Sequence, residues 1–168
     1  MLRFVEGDIL LSEAQVIAHG IAPNDDFKQG LALALRERWP AMVKDFRHYC
    51  FTDKPRAGTA WMWGSAGGLR IVNLLTQEPA AQPGGRPGRA QPEHLHHALR
   101  ALREMVRAEG FESVALPRLA TGVGGMSWEE VLPEIRRQLG DLGIPIIVYE
   151  TYRAGVRADE GLKHRAGV

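Results

Sequence analysis

Two apolar runs in the second half of the chain constrain its fold most strongly. Residues 113–116 (Ser-Val-Ala-Leu) and residues 144–149 (Ile-Pro-Ile-Ile-Val-Tyr) are apolar at nearly every position. A strand buried on both faces of a sheet has this continuous character, whereas a strand with one face in solvent alternates. We therefore expect both runs to lie inside a sheet that helices cover on both sides.

Strand and helix patterns alternate along the rest of the chain. Further strand patterns occupy residues 2–5, 16–18, 59–63 and 69–75, and a small-residue turn makes the last two an antiparallel pair. Apolar spacings of three and four predict helices at residues 31–39, 41–50 and 93–109, the last ended by Gly110. This alternation predicts an α/β fold, in which ligands collect at the carboxyl ends of the strands.

Three segments resist a simple assignment. Ser127 and Glu130 match a capping box, but Pro133 follows so closely that the helix must kink or properly begin only there. Residues 79–92 carry four prolines and three glycines, which predicts a mobile loop that is structural padding, or a lid if it sits beside the ligand. Residues 153–168 lack periodicity, so we expect a domain at residues 1–152 and a flexible tail after it.

The composition is that of one globular domain. The chain has 168 residues, with 21 Lys and Arg against 20 Asp and Glu, and a single cysteine that excludes an intrachain disulfide. No apolar run is long enough for a membrane span, and the start lacks a secretory signal pattern. We expect a cytoplasmic monomer that has no membrane segment and does not bind nucleic acid through bulk charge.

A glycine-rich loop is the strongest functional signal. Residues 117–128 (Pro-Arg-Leu-Ala-Thr-Gly-Val-Gly-Gly-Met-Ser-Trp) join a buried strand to a helix pattern. Glycines let a backbone close around an anion, and successive N–H groups in such a turn bind oxyanions. The alternative is that the three glycines only make a tight crossover.

A second loop strengthens the first interpretation. Residues 19–31 lead from the strand at Val16 directly into a helix pattern, with Gly30 at the junction. The N-terminus of a helix offers unpaired N–H groups and the positive end of the helix dipole. Two such cradles predict a ligand with two phosphates.

Together with Gly7-Asp8-Ile9-Leu10, this order of motifs resembles the macrodomain family over residues 2–152. The resemblance implies a three-layer α/β/α sandwich with a central mixed sheet, and ADP-ribose or an ADP-ribosylated macromolecule bound between two loops without a cofactor. The chain is most similar to the branch that includes the terminal ADP-ribose glycohydrolase. The motifs that carry this similarity are Ala18-His19, residues 30–35 (Gly-Leu-Ala-Leu-Ala-Leu), Arg38-Trp-Pro, Pro117-Arg118, Trp128 and Val148-Tyr149.

The resemblance also implies roles for individual residues. Asp8 would accept a hydrogen bond from the adenine amino group, unless it is only an N-cap or turn aspartate. An aromatic residue after the last strand would pack on adenine, although it could equally be core. The implied binding residues are Asp8, Ile9, Phe27, Lys28, Gln29, Gly30, Leu31, Leu119, Ala120, Thr121, Gly122, Val123, Gly124, Gly125, Tyr149, Glu150 and Tyr152.

Catalytic groups of that branch are missing from the chain. The resemblance aligns its lysine and aspartate with Gly64 and Gly124, and a ribose-binding asparagine with Ala22. We expect Asp25 or Asp26 to supply a carboxylate instead, unless they form only a solvated turn. His19 is a candidate acid or base, with a hydrogen-bonded structural role as the alternative.

Three histidines on the predicted third helix raise the question of a metal. His94 and His97 share a helix face, but no third ligand has clear spacing, so exposed histidines explain them better than a metal site does. The favoured function is hydrolysis of ADP-ribosyl linkages. The alternatives are a non-catalytic ADP-ribose reader and a phosphatase that acts on ADP-ribose 1″-phosphate.

Overall fold

The computed structural model describes residues 1–162 of the protein. Its strands are β1 (Leu2–Gly7), β2 (Val16–Ile21), β3 (Ala60–Gly64), β4 (Arg70–Leu75), β5 (Val114–Pro117) and β6 (Ile146–Tyr152). Its α-helices are α1 (Gly30–Arg38), α2 (Pro40–Asp53), α3 (Pro92–Glu109) and α4 (Trp128–Leu139), and a short 3₁₀ helix spans Ile9–Leu11. No helix between residues 1 and 162 is both long and apolar enough to cross a membrane.

The strands form one mixed sheet in the order β1-β6-β5-β2-β4-β3. All neighbouring pairs are parallel except β3 and β4, which form the predicted antiparallel pair. Parallel neighbours point their carboxyl ends the same way, so the loops after β2, β5 and β6 leave from one edge of the sheet. The central mixed sheet is therefore confirmed, and it brings both glycine-bearing loops to that edge.

Alternating side chains along the central strands build a core on each face of the sheet. Val16 and Ala18 of β2 pack in one cluster with α3 and α4, whereas Ile21 packs in another with α1 and α2. A side-chain period of two along a strand sends successive residues to opposite faces. Helices on both faces confirm the three-layer sandwich.

Helix α3 matches its prediction closely, because its buried residues recur at helical spacing and Gly110 closes it in the left-handed conformation. Helix α4 departs from its prediction. It begins at Trp128, where Ser127 and Glu130 form both halves of the capping box, and it contains Pro133. The alternative in which the helix begins only at Pro133 is wrong, since the cap and the buried Val131 and Ile135 stabilise the turns on either side of the proline.

Residues 153–162 pack against the domain, in contrast to the predicted flexible tail. Asp8 N donates to Val156 O (2.7 Å), and Arg3 Nη1 donates to Glu160 O (2.9 Å). The buried Glu160 carboxylate accepts hydrogen bonds from Tyr149 Oη (2.8 Å) and Ser12 Oγ (2.5 Å). This segment forms a strap along β1, and residues 163–168 lie outside the described residues.

Candidate functional site

A cleft of about 500 Å³ opens at the carboxyl ends of β2, β5 and β6. Its floor includes Gly20 and Ile21 from β2, Pro117 from β5 and Tyr149 from β6. Two segments from the glycine-bearing loops, residues 28–32 and residues 118–124, form its facing walls. The two loops that the sequence singles out therefore meet at one cavity.

The first wall is the N-terminus of α1. Gly30 opens the helix with φ +57°, a left-handed conformation that favours glycine, and an added Cβ there would meet nothing within 4 Å. Leu33 N donates to Gln29 O (3.2 Å), the first bond of the helix. Across residues 1–162, no acceptor pairs with the main-chain N–H groups of residues 28–32. These donors and the helix dipole favour an anion at this wall.

The second wall is a loop held in shape by its own backbone. Met126 N donates to Ala120 O (2.9 Å), and Gly125 N donates to Gly122 O (3.1 Å). Ala120 has φ +61°, which turns the chain sharply after β5. The N–H groups of residues 119–124 have no hydrogen-bond acceptor within the described part of the chain. Such a run of free donors is an anion-binding concavity.

The glycines of this loop differ in why they are glycine. At Gly124 an added Cβ would lie 2.5 Å from Ala120 O, so the fold itself requires the missing side chain. At Gly122 an added Cβ would meet nothing within 4 Å, and the position lines the cleft. Gly122 therefore leaves space for a ligand rather than for the protein.

Both candidate catalytic aspartates line the cleft, but they differ in surroundings. Asp25 Oδ1 accepts a hydrogen bond from Phe27 N (2.8 Å), and burial raises the pKa of Asp25 while the neighbouring Asp26 raises it further. Asp26 pairs with Lys28 at 3.4 Å. Asp25 is therefore the carboxylate with the greater proton affinity.

His19 lies at the back of the cleft in a structural setting. It is 2% exposed, and its Nε2 donates to Asn73 Oδ1 (2.7 Å). Burial lowers the pKa of His19 to about 4, so the ring is neutral near pH 7. This geometry favours the hydrogen-bonded structural alternative over a proton donor in catalysis.

Four of the residues expected to bind ligand are not among those that line the cleft. Ile9 and Phe27 are fully or almost fully buried, and Phe27 packs on Phe46 with ring centroids 5.4 Å apart. The Asp8 carboxylate accepts from Leu10 N (3.0 Å) and Gly155 N (2.9 Å), as the N-cap alternative predicts. The four residues are Asp8, Ile9, Phe27 and Gly125.

The far end of the cleft is aromatic and charged. Tyr152 is 56% exposed and lines the cleft, whereas the Tyr149 hydroxyl is held by Glu160, and burial raises the pKa of Tyr149. Glu150 Oε2 accepts from Trp128 Nε1 (3.1 Å) and lies 4.0 Å from Arg118 Nη2. Tyr152 is therefore the aromatic residue that is free to pack on a ligand.

The cleft also contains residues that the sequence analysis did not assign. Gln77 lines it just after β4, and Gly84–Pro87 reach it from the loop after β4, which is therefore more than structural padding. Gly64, aligned above with a catalytic lysine, instead pairs with Arg70 on the edge strand and lies outside the cleft. Strand-end logic would have found Gln77, but no periodicity marks the loop.

The histidines of α3 form separate ion pairs. His94 Nε2 lies 2.5 Å from Glu78 Oε1, and His96 Nδ1 lies 2.6 Å from Glu134 Oε1. Both side chains are partly buried, so the expectation of exposed histidines holds only for His97. Among the described residues, no group of three or more His, Cys, Asp or Glu could hold a metal ion.

Two comparisons by sequence identify relatives of this chain. The Macro domain family model matches residues 25–135. A DNA ADP-ribosyl glycohydrolase from Thermus aquaticus is 26% identical over 151 residues, which cover 89% of this chain and 41% of that protein. The protein of the same name from Mycobacterium tuberculosis is 24% identical, with 97% of this chain and 46% of that protein covered. The chain thus spans less than half the length of these curated relatives.

Comparison of structures agrees with the sequence comparison. The macrodomain of Thermus aquaticus DarG superposes with a TM-score of 0.78 at 25% identity, covering 89% of this chain and 98% of that one. Thermosipho africanus DarTG in complex with ADP-ribose has the same fold, with a TM-score of 0.77 at 22% identity, covering 95% of this chain and 43% of that one. By the match of the family model to most of its length, the chain belongs to the macrodomain family.

Proposed function

We propose that the chain binds ADP-ribose in the cleft and hydrolyses ADP-ribosyl linkages on modified macromolecules, releasing ADP-ribose. The observation that carries this proposal is the pair of facing walls, residues 28–32 and 119–124, whose main-chain N–H groups have no acceptor among residues 1–162. A diphosphate has enough oxygen atoms to accept from both walls at once. Burial of so many unpaired donors favours an anionic ligand over an apolar one.

The rest of the cleft supports one orientation of that ligand. Tyr152 offers an exposed ring for adenine at the β6 end, and Asp8 sits behind it beneath the strap. The distal ribose would then lie between Gly122 and Asp25, at the other end of the cleft. The names of the curated relatives favour ADP-ribosylated DNA as the macromolecule.

Asp25 is the proposed general base. A water molecule attacks the anomeric carbon, the bond from that carbon to the macromolecule breaks, and Asp25 takes the proton from the water. A carboxylate with a raised pKa is a better base near neutral pH than one in open solvent. The bound diphosphate stabilises the oxocarbenium-like transition state.

Release of ADP-ribose from an ADP-ribosylated DNA oligonucleotide tests the proposal. Asp25→Asn should bind ADP-ribose as the wild type does and release it at least about 100-fold more slowly, in line with the loss of a general base. Asp26→Asn is the matched control, because Asp26 pairs with Lys28, and it should retain most turnover. Equal rates for the wild type and Asp25→Asn would contradict the role of Asp25.

A non-catalytic reader is the second candidate. It is favoured by the absence of a charged side chain at Gly124 and Gln77 and by the neutral His19, all of which line the cleft. Tight ADP-ribose binding without release from protein or DNA would support it. Release of phosphate from ADP-ribose 1″-phosphate would instead point to the phosphatase alternative.

We propose that the domain extends through residue 162, because the strap joins it by buried hydrogen bonds. A cytoplasmic location and a monomeric state stay predictions from the sequence.

A further inference from the structure

The loop between β4 and α3 is pinned at its base. Gln77 bridges to Ala90, Gly88 N donates to Glu78 O (2.9 Å), and Gln77 Nε2 donates to Gly88 O (3.1 Å). An added Cβ on Gly88 would lie 2.7 Å from Glu78 Cβ, so the two arms of the loop are in close contact. The base of the loop is therefore a fixed support for its tip.

The same loop is tied to the glycine-rich wall of the cleft. Ala90 N donates to Gly124 O (2.9 Å), and the Arg89 guanidinium lies beside Gly125. The tip, Gly84–Pro87, lines the cleft opposite α1. These contacts make the loop a third wall, set in register with the loop proposed to bind the diphosphate.

The charges that line the cleft single out one arginine. The acidic residues are Asp25, Asp26 and Glu150, and two of the three basic residues face them. Lys28 pairs with Asp26 at 3.4 Å, and Arg118 lies 4.0 Å from Glu150. Within residues 1–162, Arg86 is the remaining basic residue of the cleft, and it has no carboxylate or hydrogen-bond partner.

We propose that Arg86 binds a phosphate group of the substrate from the tip of the third wall. This inference rests on the proposed function, since it concerns how the same cleft holds its ligand. The guanidinium presents planar donors that match two phosphate oxygens, and the cleft without Arg86 would add a dianion to unbalanced carboxylates. The phosphate belongs either to the diphosphate of ADP-ribose or to the strand that carries the modification.

The first experiment measures ADP-ribose binding to the full chain by calorimetry. Arg86→Ala should weaken binding by about tenfold if Arg86 contacts the diphosphate, and Arg86→Lys should recover part of that loss because it keeps the charge. Gln82→Ala, in the same loop but outside the cleft, and Arg47→Ala, an exposed arginine on α2, should bind as the wild type does.

The second experiment measures the KM for an ADP-ribosylated oligonucleotide at several salt concentrations. If Arg86 contacts the strand, Arg86→Ala should raise the KM by about tenfold and lower the slope of log KM against log salt by about 0.7–0.9. Affinity for free ADP-ribose would then stay at the wild-type value. A matching thermal melting curve establishes that the exposed substitution leaves the fold intact.

The outcomes separate the two proposals. If the wild type binds no ADP-ribose, the proposed function fails before Arg86 is tested. If the wild type binds and turns over substrate, and Arg86→Ala matches Gln82→Ala in both experiments, the role of Arg86 is overturned. Weakening in either experiment supports it and identifies which phosphate Arg86 contacts.

Discussion

Gly122 and Gly124 lie two residues apart in one wall of the cleft, yet the structure predicts opposite consequences for the same substitution. An added Cβ on Gly122 points into open space in the cleft, and Gly122 has no left-handed φ. Gly122→Glu should therefore fold as the wild type does and place a carboxylate where the diphosphate binds. Gly124→Glu should destabilise the fold, because its Cβ would lie 2.5 Å from Ala120 O.

The size of the binding effect follows from the charges. Two unit charges about 5 Å apart at an effective dielectric constant of about 20 repel by about 3 kcal/mol. That free energy corresponds to a loss in affinity of about 100-fold or more. The Gly122→Ala variant carries no charge, so it should bind within a few fold of the wild type.

Calorimetric titration with ADP-ribose and thermal unfolding of each variant together test this reasoning. We expect Gly122→Glu to lose binding at an unchanged melting temperature, and Gly124→Ala to lower the melting temperature even without a charge, since backbone atoms must move to accept the Cβ. A folded Gly122→Glu variant with wild-type affinity would refute the assignment of this loop to the diphosphate.

Three further predictions follow from buried titratable groups. His19 has a pKa of about 4 in the fold against 6.5 when unfolded, so the unfolded chain takes up the proton first and about 3 kcal/mol of stability should be lost as the pH falls from about 6.5 to 4. Denaturant unfolding at stepped pH measures this loss, and a His19→Gln variant that keeps the full pH dependence would contradict it. Glu160→Ala should lower the unfolding free energy by about 2–4 kcal/mol, since it leaves the buried Tyr149 hydroxyl unpaired, whereas the exposed Asp159→Ala should change it little in the same assay. The rate of ADP-ribose release should fall as the pH drops through the raised pKa of Asp25, where the base becomes protonated, and a pH–rate profile that is flat on the acid side would count against this role.

Much of the fold follows from local patterns. Continuous apolar runs mark β5 and β6, and the spacing in α3 gives that helix to within a residue at each end. The prediction for β2 ended at residue 18, because the polar His19 and the small Gly20 break the apolar run, although both continue the ladder opposite Asn73 and Leu74. A buried histidine satisfied by a neighbouring strand leaves no signal in its own sequence.

Long-range contacts account for the parts that the sequence did not predict. The strap is held by one buried carboxylate, Glu160, whose partners Ser12 and Tyr149 lie far away or on another element. The cap of α4 outweighs the break expected at Pro133.

The candidate site divides in the same way. Glycine-bearing strand ends predict the two walls, since backbone geometry there is written into residue type. The position of Arg86 depends on hydrogen bonds at the base of its loop, from Gln77 to Gly88 and from Ala90 to Gly124, which no periodicity encodes. Side-chain burial likewise removes Phe27 from the cleft while leaving its neighbour Lys28 there.

The most direct test of the account is amide NMR of the protein titrated with ADP-ribose. The N–H groups of residues 28–32 and of residues 119–124 should shift together and at the same ligand concentration, because one diphosphate accepts from both walls. Shifts confined to one wall, or absent from both at millimolar ADP-ribose, would contradict the central claim.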